Sequence, residues 1–204
     1  MEKIESIDNV AGLEFEDYGH IYRFDGVEVP SVSAIMEPLS RAKYGSINEA
    51  VLQRAADKGT IVHNAIENWI KFGIEDVPPE QEPYFRAFRA WWDENQPVPV
   101  ASEHRMYHKL MRYAGTMDLV AYIGGELALV DYKTTATTNP MSWPVQLEAY
   151  AQALKSMGIE VERKKILHLK KTGKFSVHEY PINDAKSWRI FGSLKTVYDY
   201  VNEF

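Results

Sequence analysis

Asp118, Asp131 and Lys133 are the residues of this chain whose types and spacing suit chemistry. Asp118 closes the stretch Gly115-Thr116-Met117-Asp118 and precedes the apolar run Leu119 to Ile123. Asp131-Tyr132-Lys133 follows a second apolar run, Leu127 to Val130. Gly124-Gly125 separates the runs, and a turn dipeptide of that kind joins antiparallel strands. Paired this way, the strands bring Asp118, near the start of one, close to Asp131, at the end of the next. Two carboxylates hold a hard divalent cation, and an adjacent ammonium supports an attacking water or a developing negative charge. Phosphodiester hydrolysis with Mg²⁺ requires that set. A strand end with solvated charges is the other use of the same triplet.

Three more residues stand where they can join this centre. His63 lies four residues beyond Gly59 on a predicted helix, with Glu67 one turn later on the same face. An imidazole that meets two aspartates completes a metal shell and admits Mn²⁺ as well as Mg²⁺, because nitrogen is softer than carboxylate oxygen. A helical histidine can equally be a packing or surface residue. Gln146 and Tyr150, four apart, share one face of the helix that follows the Asp-x-Lys strand. There Gln146 can hold a water or a phosphate oxygen while Tyr150 braces it, or both can belong to a half-buried amphipathic face.

The elements that must position these groups follow from periodicity and turn signals. His20 to Pro30 reads as a hairpin about Asp25-Gly26, with Ile21 to Phe24 as a strand. Ser31 or Ser33 caps a short helix ending before Pro38. Residues 46–72 form a long amphipathic helix interrupted at Gly59, and a second helix after Pro78-Pro79 runs to about Glu94 with an aromatic face. Strands are expected at Val100 to His108, Arg112 to Ile123 and Glu126 to Lys133. A helix from Trp143 to Met157, a hairpin of Ile166 to Lys170 with Phe175 to Tyr180, and a final helix from Asn183 to Val201 complete the chain. This is an α/β (α+β) pattern in a single domain over 1–204: a mixed central sheet flanked by helices.

Composition narrows the function. The chain has 204 residues, 45% of them hydrophobic and 25% charged, as expected for one sizeable globular core. It contains no cysteine, so disulfides, thiolate zinc sites, cysteine nucleophiles and cysteine-ligated iron–sulfur clusters are excluded. No apolar run approaches bilayer length, and the acidic start Met1-Glu2-Lys3-Ile4-Glu5 is no secretory signal, so a cytoplasmic location is expected, the host cytoplasm for a phage-encoded protein. A net charge of −6 argues against broad coating of DNA but not against a local channel. Arg163-Lys164-Lys165 with Lys170, Lys171 and Lys174 is the densest basic segment, either a DNA contact or a solvated strand edge.

Taken in order, Gly59 to His63, Gly115 to Asp118, Asp131-Tyr132-Lys133-Thr134-Thr135 and Gln146 to Tyr150 resemble the RecB-like, phage-type exonuclease branch of the PD-(D/E)XK nuclease superfamily. The resemblance covers about residues 59–150, and Val29-Pro30-Ser31-Val32-Ser33 resembles the opening segment of phage-type and mitochondrial members. It implies a restriction-endonuclease-like core with metal ligation by His63, Asp118, Asp131 and the backbone carbonyl of Tyr132. Lys133 is then the catalytic lysine, with Gln146 and Tyr150 beside it. Glu103 ranks above Glu67 as a further metal ligand or water-positioning group, since it precedes a strand that can border the hairpin. Related nucleases carry a four-cysteine iron–sulfur cluster that this chain cannot build. No Gly-x-x-x-x-Gly-Lys-[Ser/Thr] loop occurs, so unwinding needs a partner.

The function expected is a Mg²⁺- or Mn²⁺-dependent DNA exonuclease in phage or bacterial DNA recombination, repair or degradation. Arg112, Tyr113 and Trp143 are candidates for holding the strand by stacking or phosphate contact. A single-strand annealing protein, a single-strand-binding protein or a helicase is the candidate partner besides DNA. A structure-specific endonuclease or nickase, or a noncatalytic DNA-binding recombination partner, are the competing functions.

Overall fold

The computed structural model describes residues 4–203. Its strands are β1 (Leu13–Glu16), β2 (Ile21–Phe24), β3 (Val27–Val29), β4 (Val98–His108), β5 (Tyr113–Ile123), β6 (Glu126–Lys133), β7 (Arg163–Leu169) and β8 (Phe175–Tyr180). Its helices are α1 (Val32–Ile35), α2 (Glu37–Tyr44), α3 (Glu49–Phe72), α4 (Glu82–Asn95), α5 (Trp143–Ser156) and α6 (Ala185–Asn202). Two tight turns dictate the pairing that matters most. Asp25 and Gly26, at φ 49° and 76°, join β2 to β3, and Gly124 and Gly125, at φ 61° and 91°, join β5 to β6. Successive left-handed residues give a turn whose twist matches the strands it connects.

β4 to β8 form a five-stranded sheet in sequence order, antiparallel throughout except between β6 and β7. A parallel neighbour needs a crossover, and α5 supplies it. Along β6 the side chains alternate. Ala128, Val130 and Tyr132 pack with α3 and α4 residues such as Val62, Ile66 and Phe88, while Leu127 and Leu129 pack with α5 residues such as Leu147 and Ala149. The sheet is thus buried on both faces, a mixed sheet flanked by helices consistent with a restriction-endonuclease-like core. β1, β2 and β3 form a separate antiparallel sheet. It is joined to the main one where Ala114 donates its N–H to Pro30 O at 2.9 Å.

Several elements differ from the sequence reading. Gly59 does not interrupt α3, which runs unbroken from the Asn48 cap to Gly73. A mid-helix glycine costs about 1 kcal/mol relative to alanine, and burial of Val62, Ala65 and Ile66 outweighs that. The short helix capped by Ser31 does end before Pro38, as expected, but a second helix, α2, was not foreseen; Pro38 lies in its first turn, where no backbone N–H is needed. β1 was not expected; it pairs with β2 from Leu13↔Phe24 to Glu16↔Ile21. β4 begins at Val98, before Pro99, which an edge strand tolerates.

The basic segment divides: Lys170, Lys171 and Lys174 are exposed around the β7–β8 turn, whereas the start of the run is engaged inside the protein. Lys164 is wholly buried against Glu148, and Arg163 is ion-paired with Glu126 and Glu179. β7 starts at Arg163, earlier than Ile166, because residues 163–165 pair with Ala128 to Val130. Among the described residues no helix is long and apolar enough to cross a membrane.

Candidate active site

The β5–β6 ladder ends at Leu119↔Val130, and the next step outward sets Asp118 against Asp131. Beyond it the strands part. β5 continues beside β4, while Asp131 to Lys133 continue beside Ile166 to His168 of β7. The parting leaves the Tyr132 N–H without a β5 carbonyl, and Asp118 Oδ2 accepts it at 2.5 Å. Asp131 and Lys133, two apart on β6, share the α5 side of the sheet. Lys133 Nζ lies 2.6 Å from Asp131 Oδ2, an ion pair without the alignment of a hydrogen bond.

α3 and β4 bring the third and fourth groups. His63 Nδ1 stands 3.4 Å from Asp118 Oδ1 and 3.4 Å from Glu103 Oε1. Its ring meets the Tyr132 ring edge-on. Glu103 lies between the pairs Ser102↔Leu119 and His104↔Met117 and is left-handed at φ 47°. A non-glycine residue held there inside a strand is strained, which marks it as a position worth its cost. Glu103 Oε1 is buried without a hydrogen bond. His63, Glu103 and Asp118 can each offer a ligand atom within 4.8 Å of the others.

The buried acidic and basic groups of the cleft shift one another's protonation. Burial would raise the Asp118 carboxyl, but His63, Lys133 and the Tyr132 N–H outweigh burial and hold it below its ordinary value. Burial does win at Asp131, raised to about 6 despite Lys133. It also raises Glu103, against the pull of His63. Burial would lower His63, yet Asp118 and Glu103 push it well above an ordinary imidazole. Burial likewise opposes charge on Lys133, and Asp131 and Asp118 raise it nonetheless. A proton on His63 here balances buried carboxylates, the part a divalent cation would play.

These groups line a cleft of about 620 Å³ between α3 and the β1–β3 sheet. Gln146 and Tyr150 line it from α5, with the Gln146 amide donating to Tyr150 Oη at 3.0 Å. Gly115 is where the Tyr150 ring approaches β5, since a Cβ there would stand 3.1 Å from Tyr150 Cε1. After Lys133 the chain is clamped from two sides. Lys58 Nζ donates to Thr134 O at 2.8 Å, and His168 Nε2 lies 2.7 Å from Thr135 O.

The structure therefore brings together His63, Glu103, Asp118, Asp131, Tyr132, Lys133, Gln146 and Tyr150. Glu67 instead ion-pairs with Lys71. The three residues expected to hold a strand lie elsewhere. Tyr113 is fully buried, with its hydroxyl donating to Ala149 O at 2.8 Å. Trp143 is buried against His168 and His178. Arg112 is exposed, but it borders a different depression with Lys195 and Asp199. Both aromatics start a regular element and turn inward, which burial on both faces of the sheet permits. Lys58, His168 and the β1–β2 wall escaped the sequence reading. The alternation Leu13-Glu14-Phe15-Glu16 was the one local signal for that wall.

A family model described as the PD-(D/E)XK nuclease superfamily matches residues 81–192, a span that holds Glu103, Asp118, Asp131, Tyr132, Lys133, Gln146 and Tyr150 but not His63, Lys58 or the small sheet. Among solved structures, SSO0001 superposes with a TM-score of 0.45 at 13% identity, covering 82% of this chain and 74% of that one. An alkaline exonuclease from Laribacter hongkongensis superposes with a TM-score of 0.42 at 10% identity, covering 81% of this chain and 90% of that one. The same exonuclease in complex with dAMP gives 0.41 at 10% identity, with 86% and 92% covered. No curated protein matches the sequence.

Proposed function

The chain belongs to the PD-(D/E)XK nuclease superfamily, and from that premise we propose that it is a Mg²⁺- or Mn²⁺-dependent DNA exonuclease, one nuclease domain over 1–204, serving recombination, repair or degradation of phage or bacterial DNA. The observation that carries the metal is the convergence of His63, Glu103 and Asp118, with Glu103 Oε1 buried and lacking any hydrogen bond. Buried carboxylate oxygens are costly unless something positive meets them. The donor set, carboxylate oxygen with one imidazole, suits Mg²⁺ and Mn²⁺ and offers no thiolate to softer ions.

His63, Asp118, Asp131, the Tyr132 carbonyl and Glu103 would hold the ion. When bound, a divalent cation supplies Lewis-acid activation of water and neutralises charge at the scissile phosphate. The chain's own groups do the rest. Asp131 fixes the Lys133 ammonium at the cleft, where it orients the water or meets the negative charge that grows on the phosphate. Gln146, steadied by Tyr150, holds a water or phosphate oxygen on the α5 side. Clamping of Thr134 and Thr135 by Lys58 and His168 keeps the Lys133 backbone from drifting.

Lys133 and Gln146 are placed to meet phosphate or water rather than base edges, which suits a strand held by its backbone. That favours attack from an end, with an annealing protein, a single-strand-binding protein or a helicase as the partner class. Digestion of end-labelled linear DNA and of a covalently closed circle, with Mg²⁺, with Mn²⁺ or with EDTA, tests the reading. Linear DNA should be consumed with either ion, the circle should survive, and EDTA should stop the reaction. Cleavage in EDTA would remove the metal, and linearisation of the circle at a matching rate would make the protein an endonuclease.

A further inference from the structure

The wall of the cleft that faces the carboxylates is aromatic, and nothing in the chemistry above uses it. Phe15 of β1, Tyr22 of β2 and His20 between them line the same cleft as Asp118 and Lys133. Their rings interlock: Phe15 and His20 are 5.0 Å apart, His20 and Tyr22 5.4 Å, Phe15 and Tyr22 4.7 Å between centroids. Tyr22 is buried and tied across the cleft floor by its hydroxyl, 2.8 Å from Thr116 Oγ1. Arg105 lies over Phe15 at 4.9 Å. His20 is the exposed member of the group, and Tyr18, two residues before it at the hairpin tip, is 91% exposed.

The tip is also strained. Gly19 and His20 are both left-handed, at φ 87° and 55°. Glycine takes that conformation without cost, whereas a histidine held there is uncommon. Tyr22 turns inward from this hairpin, while His20 and Tyr18 stay exposed at its tip. Asp17 is the tip's charged group at the cleft and Glu16 is ion-paired with Arg23, so the hairpin offers phosphate no free cation of its own. Lys133 offers phosphate a cation on the opposite side of the cleft.

Resting on the nuclease reading, we propose that the β1–β2 hairpin is a base-stacking wall, with His20 and Tyr18 receiving unpaired bases next to the scissile phosphate, so that the substrate strand is single-stranded at the cleft. Aromatic rings stack on any base, which gives grip without sequence preference. Partial burial lowers the His20 pKa against the pull of Asp17, which favours the neutral ring. A base paired within a duplex has its faces covered by its neighbours and cannot use such a wall.

The test is fluorescence anisotropy in EDTA, with the full chain and three probes: a labelled single-stranded oligonucleotide, its duplex, and the same strand made abasic. Tyr18→Ala alters a residue that packs against little. His20→Asn removes the ring while keeping a residue that tolerates left-handed backbone. Each should weaken binding of the single strand about tenfold, leave the duplex within about twofold, and abolish the wild-type preference for the strand over its abasic form. Unchanged binding in both variants, equal loss on all three probes, or a wild type that binds duplex as tightly as single strand would overturn the inference. If the wild type still digests linear DNA with Mg²⁺ in that event, the nuclease reading stands. A wild type that neither binds nor cuts any of them would remove both.

Discussion

Asp118 Oδ2 accepts the backbone N–H of Tyr132 at 2.5 Å, so a carboxylate proposed for the metal site also closes the end of the β5–β6 ladder. One atom of the carboxylate does what a strand carbonyl would have done, while the other faces His63. Position in the site and integrity of the sheet are thereby coupled at a single side chain.

Asp118→Ala should therefore be more damaging than Asp131→Ala in stability, though both should reduce cleavage by about a thousandfold or more. Removing Asp118 leaves a buried N–H unpaired, worth about 1–3 kcal/mol. Removing Asp131 frees Lys133 but takes away a carboxyl that burial already penalises. Denaturant melts of the two variants beside a nuclease assay check the ranking. Wild-type turnover in either would remove it from the metal site.

Lys133→Ala should slow the chemical step by orders of magnitude and leave metal binding nearly intact. Lys133→Arg should not rescue it, because a bulkier guanidinium stays charged and cannot occupy the ammonium's point beside Asp131. Calorimetry with Mn²⁺ separates the two effects. A loss of metal binding equal to that of Asp131→Ala would show that Lys133 shapes the metal site itself.

Gly115→Ala should destabilise the protein by about 1–3 kcal/mol and depress activity. The new methyl would lie 3.1 Å from Tyr150 Cε1 and 3.3 Å from Met106 Cε. Tyr150 is the less free of the two to yield, because Gln146 is bonded to it. A Tm matching wild type, together with full activity, would show that α5 shifts without cost.

Metal binding should strengthen as pH rises, with protons released. Asp131, raised to about 6 from 3.8, contributes stability that is complete below about 3.8 and lost as pH rises through about 6. His63, also raised, contributes stability present below 6.5 and lost as pH climbs through its higher folded value. Asp118, lowered, acts in the other sense, below 3.8. Without metal, alkaline pH thus removes stabilising protons from the site, and a divalent cation should restore what they gave. The rise in Tm on adding Mg²⁺ should be larger at about pH 8 than at about pH 5. An equal rise at both would mean that the ion binds away from these groups.

The motifs and their order, the two tight turns and the facing of Asp118 with Asp131 were all legible in the sequence. Each rests on local rules: glycine at left-handed turn positions, period-2 alternation, and residues four apart on a helix. What tertiary structure alone decided is which residues face the cleft. Because the main sheet is buried on both faces, an aromatic residue beside a motif is as well placed for the core as for a substrate, and Tyr113 and Trp143 went to the core. Lys164, charged and in a basic run, went to the core as well, because Glu148 of α5 waits there. Glu103 was already a ligand candidate in the sequence, but the left-handed strand backbone that carries it is something no propensity foretells. The β1–β2 wall reached the cleft because Ala114, at the start of β5, pairs with the chain just after β3, a contact across more than eighty residues. Short-range chemistry names the groups that can react, but only the packing of distant segments determines which of them share a cleft.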